Sequence, residues 1–213
     1  MMSVRKKWQI HPYCKPKAGS VCSGKRPIGG IKMEILLDQE GSIKSLEDHI
    51  AVLESAGVKD IMAFQAEGGI GRKGSMKKEF DALLGSALDR GTRVFGGIFP
   101  GIFDGDRLMK KGCILAGIKT GVHIAVLDEL HDDRLFNDLE KKIRPIESQL
   151  KKGQYKTLFV FGDGFGELNL NLINGLNRLG QACPSLKVIG GLTGRESVKA
   201  SLYSIFSPGR IIQ

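Results

Sequence analysis

The chain has 213 residues, 41% of them hydrophobic, and no run approaches the roughly 18 apolar residues that a membrane-spanning helix needs. Its formal charge of +9 is lopsided: residues 1–32 hold eight Lys or Arg and no acid, while the remaining 181 hold 24 basic and 23 acidic residues. A body so nearly neutral, in a chain with one Trp and three Tyr, argues against nucleic acid as a partner.

Cys14, Cys22, Cys113 and Cys183 form no C-x-x-C pair. Free thiols in a reducing, cytoplasmic setting are therefore expected. His11, Cys14 and Cys22 offer three ligands where structural zinc takes four, so neither a metal nor a cofactor is expected. The segment 1–32 contains Pro12, Pro16 and Pro27 and shows no helical period. It reads as a disordered basic tail or a misassigned start, because Met33 opens "MEILLDQEGS" as a domain would open. An arm for an anionic surface is the third reading.

Residues 34–37 read as a strand. Ser42 caps a helix whose Ile43, Leu46, Ile50 and Leu53 share one face, and Gly57 ends it. His49 stands at the edge of that face as a boundary residue. Residues 58–65 read as a second strand. Gly69, Gly71 and Gly74 then spell G-x-G-x-x-G. A dinucleotide turn would place its first glycine directly after the strand and an acid at a strand end about 20 residues on. Here Ala66, Glu67 and Gly68 intervene, and Asp89 falls inside a helical pattern. The stretch is expected to be a mobile surface loop, with a lid over another small ligand as the alternative.

Ser75 caps the next helix, with Phe80, Leu83, Leu84 and Ala87 turned inward. Residues 93–97 read as a strand and 98–112 as a loop rich in Pro and Gly. Residues 113–119 and 122–127, joined through Thr120-Gly121, are expected to form an antiparallel hairpin. Val122, Ile124 and Val126 would share one face of it, and His123, Ala125 and Leu127 the other. Residues 132–152 carry a helical stripe of Phe136, Leu139, Ile143, Ile146 and Leu150, with a kink or break expected near Arg144 because of Pro145.

The later part echoes the earlier. "KTLFVFG" at 156–162 parallels "KDIMAFQ" at 59–65, "LINGLN" at 172–177 parallels "LLGSAL" at 83–88, and "KVIGGLTG" at 187–194 parallels "RVFGGIFPG" at 93–101. The fold class expected is therefore α/β, a layered mixed sheet with an internal duplication. Copy one spans about residues 58–128 and copy two about 156–213. Copy two reaches "SLYSIF" and a turn at Pro208-Gly209 with only Arg210–Gln213 to follow. Its returning strand is expected to be missing or cut short, which suggests a truncated chain.

"FGGIFPGIFDGDRLMKKG" at 95–112, "LFVFGDGFGE" at 158–167 and "KVIGGLTG" at 187–194 resemble the FIST domain (F-box and intracellular signal transduction), N-terminal half, over about residues 33–213. The resemblance implies an intracellular sensory module for a small ligand, an amino acid or a derivative of one. Its output partner would be a signalling protein such as a kinase or a cyclic-dinucleotide enzyme. It brings no catalytic residues.

The residues favour the loops after strands as the ligand site. Gly96-Gly97 and Gly190-Gly191 expose backbone N–H groups that suit a carboxylate, and Asp163 before Gly164 suits an ammonium. Pro100 follows the first glycine pair. The competing expectation is that the glycine pairs serve tight packing and that Asp163 caps a helix. Two further alternatives stand: an α/β enzyme using a Cys113/His123 pair, and a remnant without activity.

Overall fold

The computed structural model describes residues 5–6, 33–70, 74–104, 106–119, 121–126, 135–152, 155–163, 169–193 and 205–212. A two-residue strand β1 (Arg5–Lys6) pairs antiparallel with β2 (Met33–Asp38). The rest of the 1–32 segment lies outside the described residues, as does the set His11, Cys14 and Cys22. β2 ends in a polar turn. The Asp38 carboxylate accepts the N–H groups of Glu40 and Gly41 at 2.9 and 3.1 Å and the Ser45 hydroxyl at 2.8 Å. That turn delivers the chain into α1 (Ile43–Ser55), where Ser42 Oγ accepts the Ser45 N–H at 3.1 Å as an N-cap. Gly57 takes a left-handed φ of 78° two residues past the helix, as the C-terminal glycine predicts. His49 is half-buried with its Nδ1 2.7 Å from the Ser45 carbonyl, a boundary residue.

The centre is a parallel pair, β3 (Asp60–Ala66) and β4 (Arg93–Phe99). Parallel strands need a crossover. It is supplied by a four-residue helix, α2 (Glu67–Ile70), and then by α3 (Gly74–Asp89), which starts one residue before the expected cap. Phe80, Leu83, Leu84 and Ala87 of α3 are buried against the sheet together with Leu46, Ile50 and Leu53 of α1. The crossover "GIGRKG" is thus partly helical, and residues 71–73 lie outside the described set.

Residues 98–112 are more ordered than a loop. β5 (Ile102–Asp104) and β6 (Arg107–Met109) form a small antiparallel hairpin. β7 (Cys113–Ile118) then runs antiparallel to both β2 and β3. With both edges of β7 taken, residues 122–126 have no partner edge there, and 121–126 form no strand. The expected 113–127 hairpin is therefore absent over its described part. Its alternation survives: Val122, Ile124 and Val126 are half-buried and His123 and Ala125 exposed. Arg93 holds this segment by donating to the Val122 carbonyl at 2.8 Å and to Asp60 at 2.7 Å.

α4 (Leu135–Lys151) runs unbroken through Pro145. Pro145 is exposed, so the carbonyl that loses its donor can turn to water. β8 (Thr157–Asp163), α5 (Asn169–Ala182) and β9 (Lys187–Thr193) make a second parallel β-α-β unit with a two-stranded sheet of its own. β10 (Ile205–Ser207) and β11 (Arg210–Ile212) close the main sheet as a hairpin, so the returning strand after Pro208-Gly209 exists in shortened form. The main sheet is mixed, seven-stranded, in the order β1-β2-β7-β3-β4-β10-β11.

The layers follow from side-chain alternation. Ile61, Ala63, Val94, Leu115 and Phe206 face α1 and α3. Met62, Phe64, Phe95, Ala116 and Ile118 face the other way and meet Phe161 of β8. Leu158, on the opposite face of β8, packs with Ile143, Ile146, Leu150 and Leu179 of α4 and α5. The order is helices, large sheet, small sheet, helices, an α/β architecture with parallel and antiparallel strands. The two β-α-β units share one register: Gly96-Gly97 stands opposite Ala63-Phe64, and Gly190-Gly191 opposite Val160-Phe161. The following segments do not correspond, since residues 121–126 form no strand while β10 and β11 do.

A Cβ on Gly96 would collide with the Ala63 carbonyl oxygen, and one on Gly190 with the Val160 carbonyl oxygen, whereas Gly191 has open space. Gly96→Ala and Gly190→Ala are expected to destabilise the fold by about 3 kcal/mol or more, and Gly191→Ala by less than about 0.5 kcal/mol, as measured by urea unfolding.

Candidate functional site at the carboxyl ends of the parallel strands

In open α/β sheets, ligands bind beyond the carboxyl ends of the strands. β3 ends in Gln65 and Ala66, and Glu67 follows at once. Gln65 is fully buried, and its Nε2 donates among the carbonyls of Ala66 at 2.9 Å, Gly112 at 3.1 Å and Gly41 at 3.4 Å. One side chain therefore ties the end of β3 to the turn after β2 and to the start of β7. Glu67 is a buried carboxylate at the mouth of the parallel pair.

The β5–β6 hairpin lies over this rim. The Ala66 N–H donates to Gly112 and the Gly68 N–H to Lys110, at 2.8 and 3.0 Å. A Cβ on Gly68 would strike the Lys110 carbonyl. Gly68, outside the G-x-G-x-x-G set, is thus a glycine that this crossover needs. Ala66, Ile102 and Met109 form the apolar pad beneath the hairpin. On its outer side the cross-strand pair Phe103 and Leu108 is 66% and 47% exposed.

Beside the rim stands an aromatic junction. Phe64 of β3 stacks on Phe99 of β4 with ring centroids 5.9 Å apart, and Phe161 of β8 meets both edge-on, at 5.6 and 6.4 Å. All three are half-buried. Phe99 is the last residue of β4, and Phe161 stands two residues from the end of β8. The second unit is thereby anchored on the first at the carboxyl ends of three strands. Each such aromatic pair contributes about 1 kcal/mol beyond the area that it buries.

The structure separates the expected site residues. Gly96 and Gly97 are buried within β4, with β3 on one side and β10 on the other. In such a central strand the peptide groups serve the two ladders. Pro100 is exposed directly after Phe99, at the rim. Asp163 ends β8 opposite Thr193, whose hydroxyl donates to the Gly162 carbonyl at 3.0 Å. Gly190 and Gly191 lie mid-strand in β9, on which β8 is the one paired neighbour among the described residues. Gly164 lies outside the described residues.

Pro100 and Asp163 are thus brought to the strand ends, and the glycine pairs are not. Phe64, Phe99, Phe161, Gln65 and Glu67 were missed by reading for charge and glycine. One signal pointed to two of them: the repeat aligns Phe64 with Phe161, and those two rings touch.

The Cys113 thiol is fully buried, and burial, reinforced by the nearby Asp38 charge, pushes its pKa well above the usual thiol value. His123 is exposed, five residues beyond the far end of β7, with its ring 6.1 Å from that of Tyr155. This placement gives Cys113 none of the electropositive, accessible setting of a reactive thiolate. Among the described residues no three His, Cys, Asp or Glu side chains converge as metal ligands, and no helix is long and apolar enough to cross a membrane.

A family model, the FIST N domain, matches residues 74–212 of the chain. No curated protein and no solved structure matches it.

Two outcomes are expected from the site chemistry. In native thiol labelling followed by peptide mass analysis, Cys183 is modified before Cys113. Below about pH 8.5, the ordinary thiol pKa, Cys113 is protonated in both the folded and the unfolded state. Above it the unfolded chain ionises while the buried thiol keeps its proton, so stability falls as pH rises toward the folded pKa. Thermal melts from pH 7 to pH 10 are expected to show a steeper alkaline loss in the native chain than in Cys113→Ala.

Proposed function

Since the chain belongs to the FIST N domain family, whose members are sensory domains of signal transduction, we propose that it senses a small ligand seated against the Phe64–Phe99–Phe161 junction. The observation that carries this reading is the meeting of half-buried aromatic rings from two β-α-β units at strand carboxyl ends. The ligand class that suits the place is an amino acid or a derivative of one. Ring faces and carboxylates together attract an ammonium group, and Glu67 and Asp163 are the acids at these strand ends. An apolar side chain would lie against the rings. Binding without turnover fits a site whose nearest thiol is buried and protonated.

Sensing follows from where the ligand sits. A molecule touching both units binds one relative arrangement of them better than others, and so shifts the population toward it. That arrangement is what a signalling partner, such as a kinase or a cyclic-dinucleotide enzyme, would read. Free cysteines at 113 and 183 agree with a cytoplasmic setting.

The test is a thermal-shift screen of the full chain against the common L-amino acids and simple amines. A ligand at 100 times its Kd adds about 2.7 kcal/mol, and each kcal/mol moves Tm by about 2–4 °C in a chain of this size. At least one compound is expected to give a saturable rise of several degrees, which Phe161→Ala and Asp163→Asn abolish. A panel without any saturable shift, or a shift left intact by Phe161→Ala, would sink the reading.

A further inference from the structure

β9 is composed like an interior strand and placed like a surface one. Residues 188–192 read Val-Ile-Gly-Gly-Leu, a continuous apolar run. That is the pattern of a parallel strand covered on both faces. The counterparts in the main sheet are covered in this way: six of the seven residues of β3 are buried, and none of β4 is exposed. In β9 the first six residues are exposed and Thr193 alone is buried. Ile189 lies opposite Phe159 on one face, 52% and 37% exposed, and Val188 and Leu192 on the other face are 43% and 51% exposed. A Cβ on Gly191 would meet nothing within 4 Å. Both faces of β9 are thus open, and β8 is its one paired neighbour among the described residues.

Edge strands that stay free are blunted by a Pro, a charge or a bulge. Residues 188–193 carry no Pro and no charge, and their register with β8 runs without a bulge. The equivalent edge of β4 is occupied. Gly96-Gly97 there takes an antiparallel strand, with Phe206 opposite Gly96 and Ile205 opposite Gly97.

We propose that β9 pairs antiparallel with β9 of a second copy, joining two small sheets into one four-stranded sheet across a two-fold axis. The strand is self-complementary when the pairing is centred on Gly190. Val188 then lies opposite Leu192 of the other copy on one face, and Ile189 opposite Gly191 on the other, where the missing side chain leaves room. Charge selects the same arrangement. Lys187, the one charge in β9, falls opposite Thr193. The two lysines then stand about 20 Å apart, six residues at about 3.4 Å each, beyond the roughly 8–10 Å over which salt lets charges interact. A parallel pairing would set them side by side. Seven paired residues exchange about seven backbone hydrogen bonds, within the roughly 5–15 of a stable interface. A two-fold contact satisfies both free edges at once and closes the assembly. This edge is separate from the aromatic junction, and the pairing does not rest on the ligand reading.

The experiment is sedimentation equilibrium on the full chain over about 1–200 µM, a range that brackets a micromolar Kd. A reversible monomer–dimer equilibrium is expected. V188K/L192K sets like charges opposite one another in the dimer and is expected to raise Kd at least about thirtyfold. V188K/L192E removes the same apolar surface but opposes unlike charges, and its dimer is expected to be at least about tenfold tighter than that of V188K/L192K. In the native chain, hydrogen exchange at residues 187–193 is expected to slow as concentration rises. A chain that stays monomeric throughout overturns the proposal and leaves this edge to a strand of another protein. So does a dimer unchanged in V188K/L192K with its circular dichroism intact, or an equal loss in both variants. If the variants fail to fold, exchange at 187–193 that ignores the concentration of the native chain overturns it alone.

Discussion

The carbonyl oxygen of Ala63 occupies the space where a side chain at position 96 would begin. Much of the fold depends on that approach. It lets β3 and β4 pair in parallel, and a parallel pair obliges the chain to cross over through α3. On its other edge β4 takes β10 at the same two residues, Phe206 opposite Gly96 and Ile205 opposite Gly97. Phe206 then reaches Phe80 of α3 edge-on, 5.1 Å between centroids. One missing Cβ thus lies where the central pair, the crossover helix and the closing hairpin meet.

The same arrangement recurs at Gly190 and Val160, and its setting is different. β9 has Val188, Ile189 and Leu192 all exposed, while the equivalent β4 is interior. In each unit the strand paired with the glycines carries a phenylalanine one residue on, Phe64 or Phe161, and these two rings join the units. The shared register therefore does more than repeat a motif. It brings equivalent residues face to face at the carboxyl ends of β3 and β8, the place proposed above for a small ligand.

Part of this was legible without coordinates. The stripe of Leu46, Ile50 and Leu53, the Ser42 cap and Gly57 stated α1 in full, because caps and periodicity are local. Phe80, Leu83, Leu84 and Ala87 likewise announced the buried face of α3. Partner choice between strands was not legible. Residues 113–118 and 122–126 have the alternation of a hairpin, and a short link invites it, but β2 and β3 take both edges of β7. Val122 packs on the face of the main sheet that carries Met62, Ala116 and Ile118, and Ile124 and Val126 are half-buried, so the pattern recorded burial of one side of the segment without recording strand pairing. Residues 102–109 looked like a loop because three-residue strands are too short to show a period.

For the site, charge and glycine were read as the signs of binding, and they led to the two glycine pairs. One glycine of each pair, Gly96 or Gly190, is required by backbone crowding between strands, a demand that only the paired structure reveals. By itself the sequence determined the long helices, the cores of β2, β3, β4, β7, β8 and β9 and the near-neutral body, since these depend on composition and on neighbours within a turn or two of the chain. The tertiary structure alone decided which strands pair and that Phe64, Phe99 and Phe161 meet. Those contacts link residues up to about a hundred positions apart, and side-chain periodicity carries no record of a partner so distant.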